Sequence, residues 1–176
     1  LLNLSLTGKG AFADCEYLET VELGVKTRIA ERMFENTAVT EIIAYSDTVG
    51  DKAFAGCKNL TSIEFKNNVT YLGKEVFSGC TDLEEVIFNA DCEQIADKAF
   101  NGCSSLTELT LPSCKVVIGE EVFVGSALKK LAFAKNTEIT KIGMNTFKGI
   151  KNFSVDVSAS DIYKLDNSTI YTKDGS

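Results

Sequence analysis

The chain has 176 residues, of which 44% are hydrophobic and 24% charged, with one proline and neither histidine nor tryptophan. This is the composition of a folded domain, and the lack of histidine excludes Ser-His-Asp and Cys-His catalysis and imidazole-containing metal sites. Acidic residues outnumber basic ones by 25 to 18, a net charge of −7, so we expect no nucleic-acid partner. No apolar run reaches the roughly 18 residues of a membrane span, so we expect no direct membrane insertion.

A phenylalanine recurs along the chain at intervals of 20 to 24 residues. The positions are Phe12, Phe34, Phe54, Phe77, Phe100, Phe123 and Phe147. A small residue lies four positions before each phenylalanine, and from the second repeat onward an aliphatic residue lies five positions before it. Several columns that agree at one period indicate a repeat architecture.

Each repeat continues into an apolar run with the spacing L-x-x-I-x-L, for example in residues 60–65 and 106–111. Its last apolar positions alternate with polar ones, which is the period of a strand, whereas the segment around each phenylalanine allows only one helical or 3₁₀ turn. One repeat cannot bury its apolar residues alone, but stacked repeats form a continuous core. The sequence therefore predicts an α/β-type solenoid of about six to seven coils, with parallel strands on one face and short helical or 3₁₀ turns.

These columns together resemble the BspA-like leucine-rich repeat, whose pattern I-G-x-x-A-F-x-G-C-x-x-L-T-x-I-x-L is seen in residues 49–65 and 95–111. The resemblance implies a right-handed solenoid. It also implies a surface-exposed or secreted protein, since members of this family from mucosal and gut bacteria adhere to or bind host and microbial surface proteins. The second repeat departs from the pattern, because Thr37 and Ala44 occupy core columns.

Four of the six cysteines share the column three residues after the phenylalanine: Cys15, Cys57, Cys80 and Cys103. We expect them to form an inward-facing structural ladder of small, polarizable side chains. Neighbouring coils place such Cα atoms about 5 Å apart, within disulfide reach, so the redox state stays open. Without histidine or a Cys-x-x-Cys pair, we expect no catalytic residue, no metal site and no cofactor.

Ligands of a solenoid contact the side chains that point outward from its strands. Five outward glutamates form an acidic stripe that favours a basic partner: Glu22, Glu41, Glu64, Glu85 and Glu108. Three apolar residues, Ile43, Tyr45 and Ile87, stand where solvent is expected, in the pattern of a binding hot spot. Lys66 and Asn89 complete the candidate set. The stripe also suits a solvated face, and single exposed apolar residues are common, so both interpretations stay open.

The repeat pattern ends near residue 151. We assign residues 1–151 to the repeat array and 152–176 to a C-terminal cap or the start of a following segment. Within the latter, two short alternating stretches, 162–165 and 169–172, flank the turn signal Asp166-Asn167. At the other end, residues 1–6 alternate like the strand of a truncated first coil.

The outward face and the resemblance together predict a surface-exposed or secreted adhesion module rather than an enzyme. We expect it to bind a protein, from the host extracellular surface or another microbial surface. A glycan is the less favoured ligand, because Tyr45 is the one aromatic residue in the outward columns. The alternative is a rigid spacer in a larger surface protein, which would tolerate wholesale substitution of the outward face.

Overall fold

Short strands recur in every coil of the central array. The computed structural model of the protein describes residues 8–166 and 169–172, so the strand expected at residues 1–6 and the turn residue Asn167 lie outside the described residues. The strands are β1 (Glu41–Ala44), β2 (Thr48–Val49), β3 (Ser62–Phe65), β4 (Tyr71–Leu72), β5 (Glu85–Phe88), β6 (Gln94–Ile95), β7 (Glu108–Leu111), β8 (Lys115–Ile118), β9 (Lys130–Phe133), β10 (Glu138–Ile142), β11 (Ser154–Asp156), β12 (Tyr163–Asp166) and β13 (Thr169–Thr172).

Strands of successive coils pair in parallel on two sides of the solenoid. One side carries a five-stranded sheet in the order β10-β8-β6-β4-β2. The other side carries two three-stranded sheets, β1-β3-β5 and β11-β9-β7, whose outward surface we call the strand face. The parallel stacking extends past residue 151, the expected end of the array, because β11 pairs with β9. Beyond it, β12 and β13 pair antiparallel, as the turn signal between them predicts.

The prediction of an α/β class with helical or 3₁₀ turns is wrong, since residues 8–166 and 169–172 contain no helix. The reason lies in the backbone of each turn around a phenylalanine. In one such turn Lys52 and Gly56 have positive φ angles of 58° and 72°, which interrupt a helical path. Alternate amides of the turn donate to another coil instead of within the turn. For example, Phe54 N–H donates to the Val76 carbonyl of the next coil at 2.9 Å. Of the six to seven coils expected, five contribute a strand to the larger sheet, and Ile29 of an earlier coil joins Val49 only through an isolated bridge.

The phenylalanine column forms the centre of the core. Successive rings from Phe12 to Phe147 are stacked, with centroids 5.4 to 5.7 Å apart. The five middle rings are fully buried: Phe34, Phe54, Phe77, Phe100 and Phe123. A constant repeat length therefore becomes a continuous column of aromatic contacts along the solenoid axis.

Beside this column, at four of the glycines, the coils approach so closely that there is no room for a Cβ atom. A Cβ atom added to Gly73 would lie 2.5 Å from the carbonyl carbon of Gly50 and 2.6 Å from the amide nitrogen of Asp51. Gly50, Gly119 and Gly143 meet the backbone of the preceding coil in the same way. The small-residue column of the sequence thus marks the closest backbone contact between coils.

Three of the four column cysteines lie buried and donate to the preceding coil. The thiols of Cys57, Cys80 and Cys103 contact the carbonyl oxygens of Phe34, Phe54 and Phe77 at 2.9, 3.0 and 3.1 Å. Cys15, expected in the same inward column, is exposed instead. No coil in the described part of the chain precedes that of Cys15, so no described preceding coil covers its thiol.

Candidate binding face

The parallel register aligns the outward side chains of β1, β3 and β5 in rows across the strand face. Glu41 lies opposite Ser62, which lies opposite Glu85. In the next row Ile43 lies opposite Glu64, which lies opposite Ile87. The structure therefore brings these predicted site residues onto one continuous surface of three strands.

Glu64 is held by two other predicted site residues. The Lys66 ammonium forms an ion pair with its carboxylate, and the Asn89 side-chain amide donates to the same oxygen. These hydrogen bonds hold the pKa of Glu64 below its ordinary value. Glu64, Lys66 and Asn89 form a polar cluster in the middle of the face, so this glutamate is not a free acid of the stripe.

The apolar candidates do not form one patch. Ile43 is 49% exposed, whereas Tyr45 and Ile87 are half-buried. Glu64 stands between the two isoleucines in their row. The face therefore offers separate apolar positions divided by a charged one.

The remaining glutamates of the stripe have different environments. Glu22 is exposed in a segment that forms no strand. Glu108 is on β7, where its carboxylate lies 3.1 Å from the Lys130 ammonium. Lys130 also contacts Asp156 at 3.1 Å, and these two carboxylates raise its pKa. Glu41 and Glu85 are exposed, and neither belongs to an ion pair of the described residues.

The strand face is interrupted between β5 and β7, a feature that the sequence reasoning missed. Successive strands elsewhere on this face are hydrogen-bonded, but β5 and β7 belong to separate sheets. Between them lies an open groove of about 930 Å³, which we call the β5–β7 groove. Four acidic residues and no lysine or arginine line it: Glu84, Glu85, Asp91 and Glu108.

The single proline of the chain explains one part of this break. At three other junctions of the strand face, the residue after the strand donates its N–H to the preceding coil at 2.9 to 3.1 Å; these donors are Lys66, Asn89 and Ala134. Pro112 occupies the equivalent place after β7 and has no N–H to donate to Phe88. Glu85 and Glu108 would also face each other directly if β5 and β7 paired, and opposed like charges destabilise a sheet.

The buried thiols offer no reactive group. Burial raises the pKa of the Cys103 thiol to about 12, and it raises the pKa of Cys57, Cys80 and Cys92 as well. The thiolate is the nucleophilic form, so these side chains are protonated at neutral pH. Within the described ranges no group of three or more acidic or cysteine residues is placed to hold a metal ion.

The chain is similar to a known repeat family in sequence and to a known cell surface protein in fold. Residues 2–48 and 27–154 match the BspA type leucine rich repeat region, in six copies. No curated protein matches the sequence significantly. The crystal structure of a leucine rich cell surface protein from Faecalibacterium prausnitzii A2-165 is similar in fold, with a TM-score of 0.56 and 22% identity over 84% of this chain.

The chain spans 47% of the length of that cell surface protein, and at this identity the likeness shows the fold alone. In the described residues, no helix has the length and apolarity needed to cross a membrane. The repeat match, in contrast, extends over most of the chain and agrees with the stacked phenylalanine and glycine columns. The chain therefore belongs to the BspA-type leucine-rich repeat family.

Proposed function

We propose that the chain is a non-enzymatic protein-binding module, displayed at a cell surface or secreted, that recognises a protein partner through its strand face. The observation that carries this proposal is the alignment of Glu41, Ile43, Glu85 and Ile87 in rows on one solvent-exposed surface. Rows of this kind present adjacent, regularly spaced side chains to a flat partner surface.

The chemistry of the face favours a partner with basic and apolar groups. Glu41 and Glu85 supply negative charge that no ion pair of the described residues balances, and Ile43 supplies an exposed apolar side chain in the next row. Charge of one sign on an interface steers a complementary partner and discriminates against others. A protein suits this face better than a glycan, because Tyr45 is half-buried and no other aromatic ring stands in the outward rows of the described coils.

Surface display is supported by the family and by the similar cell surface protein from Faecalibacterium prausnitzii. The partner would then be a host extracellular protein or a surface protein of another microbe. The closely stacked core suits such a setting, because stacked coils hold the binding rows at fixed spacing.

A binding screen with matched charge variants tests the proposal. The chain is immobilised and exposed to extracellular-matrix proteins, epithelial and microbial surface proteins, and glycans. The test variant carries Glu41→Lys and Glu85→Lys on the strand face. The control carries Glu93→Lys and Glu120→Lys, two exposed residues outside the strands of this face with no ion pair among the described residues. We expect a bound protein to be lost with the test variant and kept with the control.

Two outcomes would contradict the proposal. Binding lost equally in both variants would show a general charge effect rather than recognition by the face. Absence of any bound protein across the panel would favour the rigid spacer, whose outward face has no ligand of its own.

A further inference from the structure

We propose that the β5–β7 groove takes an extended basic segment of the protein partner, which hydrogen-bonds through its own backbone to the unpaired strand edges. This inference rests on the proposed function and names the part of the face and the form of ligand. It follows from three features of the groove: free backbone groups, an uncovered apolar ring and unbalanced negative charge.

The free backbone groups follow from the pairing on either side of the groove. On β5, the amides of Glu85 and Asn89 donate to Thr61 and Phe65 of the previous coil. Because backbone direction alternates along a strand, the N–H and C=O groups of Val86 and Phe88 point into the groove. On β7, the carbonyl groups of Thr107 and Leu111 accept from the next coil.

By the same alternation, Glu108 and Thr110 direct their backbone groups from β7 into the groove. Unpaired strand edges are templates for an added strand. Sheet edges normally occur only at the ends of a solenoid, whereas here two lie in the middle of the face.

An apolar ring is left partly uncovered at the base of the groove. Phe88 stacks on Phe65 with centroids 5.3 Å apart. Phe65 is fully buried, but Phe88 is only half-buried because β7 does not close over it. A segment in the groove would point alternate side chains inward, where an apolar one covers this ring, and outward between Glu85 and Glu108.

The outward side chains of the segment would be basic. The groove lining contains four carboxylates and no cation. Of these four carboxylates, Glu108 is the one that pairs with a lysine, Lys130, among the described residues. The charges of Glu84, Glu85 and Asp91 therefore remain available to a ligand. Lysine or arginine at alternate positions of an extended segment matches this arrangement.

Seating a strand requires the groove to open slightly. Some Cα atoms of β5 and β7 lie within 8 Å of each other, whereas a strand between two others needs about 9.6 Å, twice the strand spacing. The same two coils stay joined elsewhere, through the pairing of β6 with β8 and the stacking of Phe77 on Phe100. The strand face must therefore open by at least about 2 Å between β5 and β7, while these other contacts join the two coils away from the groove.

Fluorescence anisotropy with a short, capped, labelled peptide that alternates lysine and valine tests the inference. One comparison peptide is N-methylated at alternate residues, which removes every second backbone N–H donor, and another replaces lysine by glutamate. The closing variant combines Pro112→Ala, which restores the N–H, with Glu85→Lys, which places opposite charges across the groove. Glu120→Lys is the matched control, because it makes the same charge change at an exposed residue outside both the strand face and the groove.

We expect the lysine–valine peptide to bind the unmodified chain and Glu120→Lys alike. The closing variant and the N-methylated peptide should each weaken binding roughly tenfold or more, since at least two backbone hydrogen bonds are lost, and the glutamate peptide should not bind. Equal binding of the N-methylated peptide, equal binding to the closing variant, or no binding of the lysine–valine peptide would each overturn the inference. If whole protein partners still bind the strand face while the groove fails these tests, the proposed function stands and only this inference falls.

Discussion

Replacement of Gly73 by alanine tests whether the coils are held at their closest possible spacing. The added methyl group would lie 2.5 Å from the Gly50 carbonyl carbon and 2.6 Å from both the Gly50 carbonyl oxygen and the Asp51 amide nitrogen. All three atoms belong to the backbone of the preceding coil, so no side-chain rotation relieves the overlap. The coils must separate locally, and the hydrogen bond from Gly73 N–H to the Val49 carbonyl, 2.9 Å long, weakens with them.

The size of the effect follows from two opposing contributions. Overpacking of a tight interior costs about 1–3 kcal/mol, and backbone atoms as obstacles place this site toward the upper end. Alanine also lowers the entropy of the unfolded chain, which returns about 0.4–1 kcal/mol. We expect the free energy of unfolding to fall by about 2 kcal/mol, which lowers Tm by about 4–8 °C for a chain of this length.

The matched control is Gly8→Ala at the same column of the first described coil. Among the described residues, a Cβ there meets nothing closer than the Ala11 Cβ at 3.8 Å, so the free energy of unfolding should stay within about 0.5 kcal/mol of that of the unmodified chain. Urea unfolding followed by circular dichroism measures both variants. Equal midpoints for Gly73→Ala and Gly8→Ala would refute the account of coil contact.

Three further predictions concern the core and its thiols. Phe77→Ala should lower the free energy of unfolding by about 3–5 kcal/mol, because the ring is fully buried between Phe54 and Phe100. Phe12→Ala should lower it clearly less, because that ring is half-buried and stacks on Phe34 alone among the described residues. Equal losses in urea unfolding would contradict the stacked column. Folding raises the pKa of the Cys103 thiol from 9.0 to about 12, so the thiol's contribution to stability is complete below pH 9 and is lost as the pH rises toward 12. In the Cys103→Ala variant the urea midpoint should therefore fall less steeply between pH 9 and pH 12. The same dependence of the urea midpoint on pH in both proteins would contradict this prediction. Iodoacetamide under native, mildly alkaline conditions should modify exposed Cys15 well before buried Cys57, Cys80 and Cys103, as read by mass spectrometry of the digested protein; early labelling of the buried three would show that the coils open readily.

The solenoid itself was predictable because the same residue types recur in the sequence at the period of its coils. Phe54, Phe77 and Phe100 recur at a constant interval, and the structure converts that interval into stacked rings. The small residue before each phenylalanine likewise maps onto the close contact at Gly50 and Gly73. Both columns depend on one residue type per coil, so periodicity alone reveals them.

The turn conformation could not be predicted from the same pattern. Lys52, Glu75, Lys98 and Glu121 all have positive φ angles between 53° and 58°, a region that residues other than glycine seldom occupy. What holds them there is the next coil: the Lys52 amide, for example, donates to the Lys74 carbonyl at 2.8 Å. Local propensity suggested a helical turn, and the hydrogen bonds between coils override it.

The candidate site was only partly predictable. The alternation of side chains placed Glu41, Ile43 and Glu85 on the outward face correctly. The environment of Glu64 depends on contacts with Lys66 and Asn89 from its own and the next coil, which spacing does not show. Pro112 was visible as the one proline, but its effect appears only when the register shows which N–H is missing.

Amide hydrogen exchange followed by NMR tests most directly the interruption of the strand face on which the proposed β5–β7 groove site depends. The amides of Asn89 and Ala134 donate to neighbouring coils at 3.0 and 3.1 Å, whereas those of Val86 and Thr110 point into the β5–β7 groove. We expect Val86 and Thr110 to exchange at least tenfold faster than Asn89 and Ala134, because a backbone hydrogen bond must open before exchange occurs. Equal protection of all four amides would show that β5 and β7 pair in solution and would contradict this account of the binding face.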